Sequence, residues 1–186
     1  MAHTFVAYVE DKPGVLNRVA SLMRRRAFNI ESLTVGPTER DGVSRLTMVV
    51  DTDDMGARRL EANLYKLVNV LRVEIVTDLP SVVRDLALVK VSADASSRAQ
   101  VMQLVDVFRA RVVDVANDSL IIEITGTEDK LEGLVDVLRP FGILEMVRTG
   151  IVAMRRGTAG VAASPPRVAA ELAPETAADP LVSYSV

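Results

Sequence analysis

Residues 9–19 read V-E-D-K-P-G-V-L-N-R-V. Before them H-T-F-V-A-Y-V (3–9) has the composition of a strand. After them Val15, Leu16, Val19, Leu22 and Met23 recur at helical spacing. The change of period falls on a Pro-Gly pair. Proline is tolerated in the first turn of a helix, because an N–H there has no intrahelical partner. The stretch therefore reads as a strand handing over to a helix through a tight loop.

Working outward, F-N-I-E-S-L-T-V (28–35) is strand-like and stops at Gly36-Pro37. A polar loop, T-E-R-D-G (38–42), precedes S-R-L-T-M-V-V (44–50), where Leu46, Met48 and Val50 are expected to alternate with more exposed positions. Asp53 and Asp54 open a second helix carrying Ala57, Leu60, Leu64 and Leu67 on one stripe, and V-L-R-V-E-I-V (70–76) is a fourth strand. The order β-α-β-β-α-β is that of the split βαβ, or ferredoxin-like, unit. One sheet with two helices on one face buries these stripes together.

The polar break T-D-L-P-S (77–81) separates this unit, residues 3–77, from a second pass through the same order over 82–156. L-A-L-V-K-V-S (86–92) reads as a strand. Ser96 and Ser97 are candidate caps for a helix with Val101, Leu104, Val105 and Phe108. V-V-D-V (112–115) and L-I-I-E-I (120–124) flank a hairpin turn at Asn117-Asp118. Thr127 is placed to cap a helix with Leu131, Leu134, Val135 and Leu138, and I-L-E-M-V-R-T-G-I-V-A-M (143–154) ends the unit. The fold class is α+β: two ferredoxin-like units and an Ala/Pro-rich tail over 157–186, whose composition is that of a disordered segment.

Composition narrows the function classes. There is no cysteine, which excludes disulfides and thiol chemistry and fits the cytoplasm. The single histidine, His3, leaves no histidine triad or multi-histidine metal site, and no calcium-loop motif is present. No apolar run approaches the roughly 18 residues that span a bilayer. A net charge of −3 argues against a polyanion partner, and R-R-R (24–26), without interleaved aromatics, reads as the solvated end of a helix complementing its dipole. The expectation is a soluble chain with no membrane and no nucleic-acid role, no catalytic residues and no metal ligands.

The opening loop carries the chemistry that remains. Asp11 is available to cap the first helix, and Gly14 has no Cβ, so a ligand can approach the backbone. Unpaired N–H groups at a helix start, with the dipole behind them, suit a carboxylate. A plain turn explains Pro13 and Gly14 more simply, and both readings stand on these residues alone. Asn29, opening the second strand, is expected beside this loop. Its amide, with the free backbone groups, suits the ammonium and carboxylate of an amino acid, with Val15, Leu16, Ile30 and Leu33 as an apolar wall. Asn29 as an ordinary turn residue is the alternative.

D-K-P-G-V-L followed by F-N-I-E-S-L-T-V resembles an ACT domain, a small-molecule sensing module. With P-T-E-R-D-G-V-S-R-L-T, L-Y-K-L-V-N-V-L-R-V, R-D-L-A-L-V-K-V, F-R-A-R-V-V-D-V and R-T-G-I-V-A-M-R-R-G, residues 3–157 resemble the small regulatory subunit of acetolactate (acetohydroxyacid) synthase. The resemblance implies a homodimer through the ACT domain. It also implies a branched-chain amino acid effector, usually valine, held between the first loop of one chain and the start of the second strand of its neighbour. Carried over by position, that implicates Asp11, Gly14, Val15 and Leu16 on one side and Asn29, Ile30 and Leu33 on the other. A large catalytic partner bearing thiamine diphosphate, magnesium and FAD is implied too, with no cofactor in this chain. The second unit has A-D-A-S-S-R in place of E-D-K-P-G-V and is expected not to bind the effector.

Two other classes compete. A free-standing ACT-domain sensor would act on another partner. An acylphosphatase-like hydrolase on the same fold resembles phosphate capture by an arginine in the first loop, where this chain has Lys12.

Overall fold

The computed structural model describes residues 1–158; the tail, from residue 159 onward, lies outside the described residues. The first unit runs β1 (Ala2–Glu10), α1 (Val15–Arg25), β2 (Ile30–Pro37), β3 (Val43–Asp51), α2 (Asp54–Leu64) and β4 (Val70–Ile75). Its sheet has the antiparallel order β2-β3-β1-β4. The second unit runs β5 (Ser81–Ser92), α3 (Arg98–Val107), β6 (Arg111–Val115), β7 (Ser119–Gly126), α4 (Glu128–Leu138), a single 3-10 turn at Arg139–Phe141, β8 (Ile143–Arg148) and β9 (Val152–Arg155). Its order, β6-β7-β5-β8, repeats that of the first. The expected pair of ferredoxin-like units is present.

Local chemistry explains the elements. In α1, Val15, Val19, Leu22 and Met23 form one buried stripe, and Arg24 and Arg25 complement the dipole in the last turn. Helix α2 starts where Asp53 accepts a hydrogen bond from Gly56 N at 2.6 Å, and it buries Ala57, Leu60 and Leu64 against Phe5, Met48 and Val50. Fully burying a side chain such as Leu60 contributes roughly 1.5–3 kcal/mol. In the second unit Val89, Val91, Ile122 and Ile124 pack on Val101, Leu131 and Leu134 in the same manner.

Expectations change in three places: β3, the two ends of the second unit, and the helix caps. The alternation proposed for β3 fails: Thr47 and Val49, facing away from the helices, are as buried as Leu46, Met48 and Val50. The cause lies in the second unit. Strand β5 starts at Ser81, before the expected residue 86, and its first residues pair with β9 as a two-stranded ribbon, Ser81↔Arg155 to Arg84↔Val152. The ribbon brings Ala153 against Val6 and Val76 on the open face of the first sheet, so both faces of that sheet are covered. Arg45 reaches from β3 to the Ala153 carbonyl. The single run expected over 143–154 is correspondingly two strands, broken at Thr149-Gly150-Ile151, where Gly150 has φ +85°.

The third change concerns caps. Ser96 and Ser97 do not cap α3 with their side chains, and Thr127 makes no capping bond at α4. Ahead of α3 both serines donate instead to Asp94, described below.

Candidate functional site

Strand β1 ends at Glu10, and the loop to α1 is tied down from behind. Asp11 N donates to Gly42 O at 2.8 Å, Lys12 N to Glu10 O at 3.0 Å and Val15 N to Lys12 O at 3.3 Å. The Glu10 carboxylate accepts from Asn69 Nδ2 at 2.6 Å and pairs with Lys12 Nζ at 3.1 Å. Hydrogen bonds from Asn69 and then Lys12 hold the Glu10 carboxyl below its ordinary pKa. Arg18, one turn into α1, donates to Asn69 Oδ1 at 2.7 Å. Glu10, Arg18 and Asn69 thus fix the angle between β1 and α1. The loop motif gave no sign of Asn69, which arrives from the start of β4. Its side chain is buried beside two charged groups, and that pairing is visible only in three dimensions.

The front of the loop is open. Gly14 stands at the N-cap of α1 with φ 83° and ψ −6°, in the left-handed region, and a Cβ built there meets nothing within 4 Å. Among the described residues, nothing accepts from the N–H groups of Gly14, Leu16 or Asn17, and the first turn contains no acid. These donors and the positive end of the helix dipole form a surface suited to one anionic group. Asp11 does not cap them, contrary to expectation. Its side chain is exposed and makes no hydrogen bond among the described residues.

The other candidates divide. Leu16, 44% exposed, flanks the open donors. Val15 does not line the surface; it is buried in the core with Val19 and Phe5. Ile30 and Leu33 pack partly against the same core, and Asn29 is exposed immediately before β2. Within one chain Asn29 is not beside the loop. Ile30 pairs with Val50, which pairs with His3, whereas the loop follows Glu10, which pairs with Val43. Seven residues of strand separate the two levels, roughly 20 Å. The two halves of the expected site occupy opposite ends of one sheet.

The second unit makes an instructive contrast. Three residues before the N-cap Ser97, Asp94 Oδ1 accepts from Ser96 N at 2.9 Å, Ser96 Oγ at 2.7 Å, Ser97 N at 2.9 Å and Ser97 Oγ at 2.9 Å. The Ser96 hydroxyl foremost, with the Ser97 amide and the remaining donors, lowers the Asp94 pKa to about 2. In the second unit the N-cap amide, Ser97 N, is thus claimed by the chain's own carboxylate, whereas the first-turn amides of Ala99 and Gln100, like those of Leu16 and Asn17, have no acceptor among the described residues.

Comparison with known proteins sets this geometry in a family. Residues 5–72 match the family described as AHAS small subunit-like ACT domain, and residues 84–157 match the family described as small subunit of acetolactate synthase. The chain belongs to the acetolactate synthase small-subunit family. It is 52% identical to a probable acetolactate synthase small subunit of Archaeoglobus fulgidus over 84% of this chain and 98% of that one. It is 49% identical to the acetolactate synthase small subunit of Mycolicibacterium smegmatis over 87% of this chain and 95% of that one. The crystal structure of the acetolactate synthase small subunit from Thermotoga maritima superposes with a TM-score of 0.80 at 42% identity, covering 84% of this chain and 98% of that chain. Membership of this small-subunit family accounts for the paired ferredoxin-like units and identifies the first as an ACT domain. Among the described residues no group of three or more His, Asp or Glu side chains gathers as metal ligands would, and no helix is long and apolar enough to cross a membrane.

Proposed function

We propose that this chain is the regulatory subunit of acetolactate synthase, without chemistry of its own. It activates a large catalytic subunit and makes that subunit responsive to a branched-chain amino acid, valine foremost. The observation that carries this reading is the half-site at Gly14: three unclaimed amides at a dipole's positive end, on a loop braced by Glu10 and Asn69. They suit the carboxylate of a zwitterion, while an ammonium contact from Asn29 has to come from another chain.

Strand β2 is an edge of its sheet, which supports pairing with a second copy. If two β2 strands pair antiparallel about a two-fold axis, the start of one lies by the end of the other. Pro37, at that end, shares its level with Ser44 and Val9, next to the loop. Asn29 of the neighbour then falls at the same end of the joined sheet as Gly14. Thiamine diphosphate, magnesium and FAD belong, in this reading, to the catalytic partner.

The hydrolase reading loses support, because Lys12, the loop's only cation, is already paired with Glu10. A free-standing sensor shares the effector site but not the partner. Calorimetry of the full chain with valine, leucine and isoleucine, repeated with the catalytic subunit, separates these readings. Binding that the catalytic subunit changes by the same factor by which valine changes subunit association is the expected result, since coupling is reciprocal. Valine affinity indifferent to the catalytic subunit rejects the regulatory reading.

A further inference from the structure

The Thr149-Gly150-Ile151 connector, which splits the last strand of the second unit, rests on the back of β2. Ile151 N donates to Ser32 Oγ at 3.2 Å, and Thr34 Oγ1 donates to Thr149 O at 3.3 Å. Gly150 makes the approach possible: at φ +85° it suits only glycine comfortably, and a Cβ there would stand 2.4 Å from Ser32 Oγ and 3.2 Å from Thr34 Oγ1. Ser32 and Thr34 flank Leu33, which faces the opposite side, toward the helices and the core. The same short strand therefore presents candidate effector residues on one face and the connector's contacts on the other.

The connector is tied firmly to its own unit. Buried Asp85 of β5 accepts from Arg148 Nε at 2.7 Å and from Thr149 Oγ1 at 3.2 Å. Thr149 N donates to Leu86 O at 3.0 Å, and Leu86 N donates to Thr149 Oγ1 at 3.3 Å. A cavity of about 540 Å3, lined in part by Ser32, Leu33, Asp85, Arg148 and Gly150, lies beside the contact and leaves room for displacement. A connector rigid toward one sheet and held to the other by two hydroxyl bonds will carry a shift of β2 into β5 and β8.

From this geometry we infer that Ser32, Thr34 and Gly150 are positioning residues that pass the occupancy of the effector site to the second unit. The inference rests on the effector reading above and adds where the signal leaves the ACT sheet. Apolar packing between Val6, Val76 and Ala153 holds the units together whether or not the hydroxyl bonds form. Stability and signalling are thereby separable.

The test uses the full chain reconstituted with the catalytic subunit, with valine as probe. Thr34→Val keeps shape and removes the hydroxyl; Thr34→Ser restores it. Thr34→Val is expected to raise the valine concentration for half-inhibition by about tenfold, within the usual range of coupling between sites. Valine affinity of the isolated chain should stay within about twofold, and Thr34→Ser should behave as the unaltered chain. Amide exchange in residues 143–155 should respond to valine in the unaltered chain and not in Thr34→Val. Gly150→Ala should uncouple more strongly; if it fails to fold, Thr34→Val alone decides. Full inhibition and an unchanged exchange response in Thr34→Val overturn the relay while the effector reading survives. Absence of valine binding to the unaltered chain, alone and with the catalytic subunit, overturns the effector reading itself.

Discussion

Asp11 and Asp94 occupy the same step, three residues ahead of the residue that caps a helix, yet Asp94 accepts four hydrogen bonds while Asp11 accepts none among the described residues. The difference lies in their neighbours. Asp94 draws on the amides and hydroxyls of Ser96 and Ser97. In the first unit those two places are held by Pro13, which has no N–H, and Gly14, which has no hydroxyl and sits in the left-handed region. Asp11 cannot close the loop on itself, and the amides beyond remain open. The Pro-Gly pair thus does more than turn the chain. It leaves the N-cap amide, Gly14 N, unclaimed, where the second unit gives the equivalent Ser97 N to Asp94.

Placing a carboxylate in the open anion surface should abolish sensing. Gly14→Asp puts a carboxylate beside the open amides, in space where nothing lies within 4 Å. Asp tolerates a left-handed backbone better than most residues, so the loss of stability should be about 1–2 kcal/mol. Calorimetry should show no valine binding and reconstituted enzyme no feedback, while thermal unfolding remains cooperative. A variant that retains normal valine affinity refutes the assignment of the anion site. Pro13→Ser combined with Gly14→Ser, which recreates the second unit's loop around Asp11, should give the same loss without adding charge.

Asp94 predicts an acid-sensitive contribution to stability. Its pKa falls from an ordinary 3.8 to about 2 in the folded chain, so between those values the unfolded chain binds the extra proton. The contribution is complete above pH 4 and disappears as the pH drops through about 2. Urea unfolding from pH 5 to pH 2 should show the unaltered chain more stable than Asp94→Asn at the upper end and the two converging at the lower. A gap that stays constant with pH would mean that the carboxylate's charge does not matter.

The βαββαβ order was legible because amphipathic stripes such as Val15, Val19, Leu22 and Met23 report only on their own helix and the face beneath it. Burial of Thr47 and Val49 was not legible, because it depends on a ribbon more than 30 residues away in sequence. Sequence periodicity placed Asn29 correctly at the mouth of β2, but only strand register puts it at the far end from Gly14. Val15, expected in the ligand wall, packs in the core for a related reason: an apolar residue at a helix start serves core or surface according to a half-turn that composition does not specify. Asp94 escaped notice because Ser96 and Ser97 are themselves good capping residues, and their hydroxyls turn out to be donors to its carboxylate.

Two helix starts offer a stability comparison. Asp53 accepts from Gly56 N at 2.6 Å, whereas Thr127 holds the N-cap of α4 with no side-chain bond. Asp53→Ala should lower stability by about 1 kcal/mol, with a range near 0.5–2. Thr127→Ala should fall clearly below that. Denaturant midpoints at constant slope measure both, and equal losses would show that the Thr127 hydroxyl caps in solution.

The separation of Gly14 from Asn29 within one sheet predicts complementation between defective chains. Asn29 is exposed, so Asn29→His should spare the fold and remove valine binding by displacing the ammonium contact. Gly14→Asp does the same from the other half-site. In a dimer containing one chain of each kind, one site combines both defects and the other combines an intact Gly14 loop with an intact Asn29. Equal mixing, with free exchange between dimers, should restore valine binding to about a quarter of all sites, although neither variant binds alone. The restored fraction is read by calorimetry after co-refolding, against each variant refolded by itself. If the effector were held within a single chain, no mixture would recover any binding, since every chain present would carry a defect.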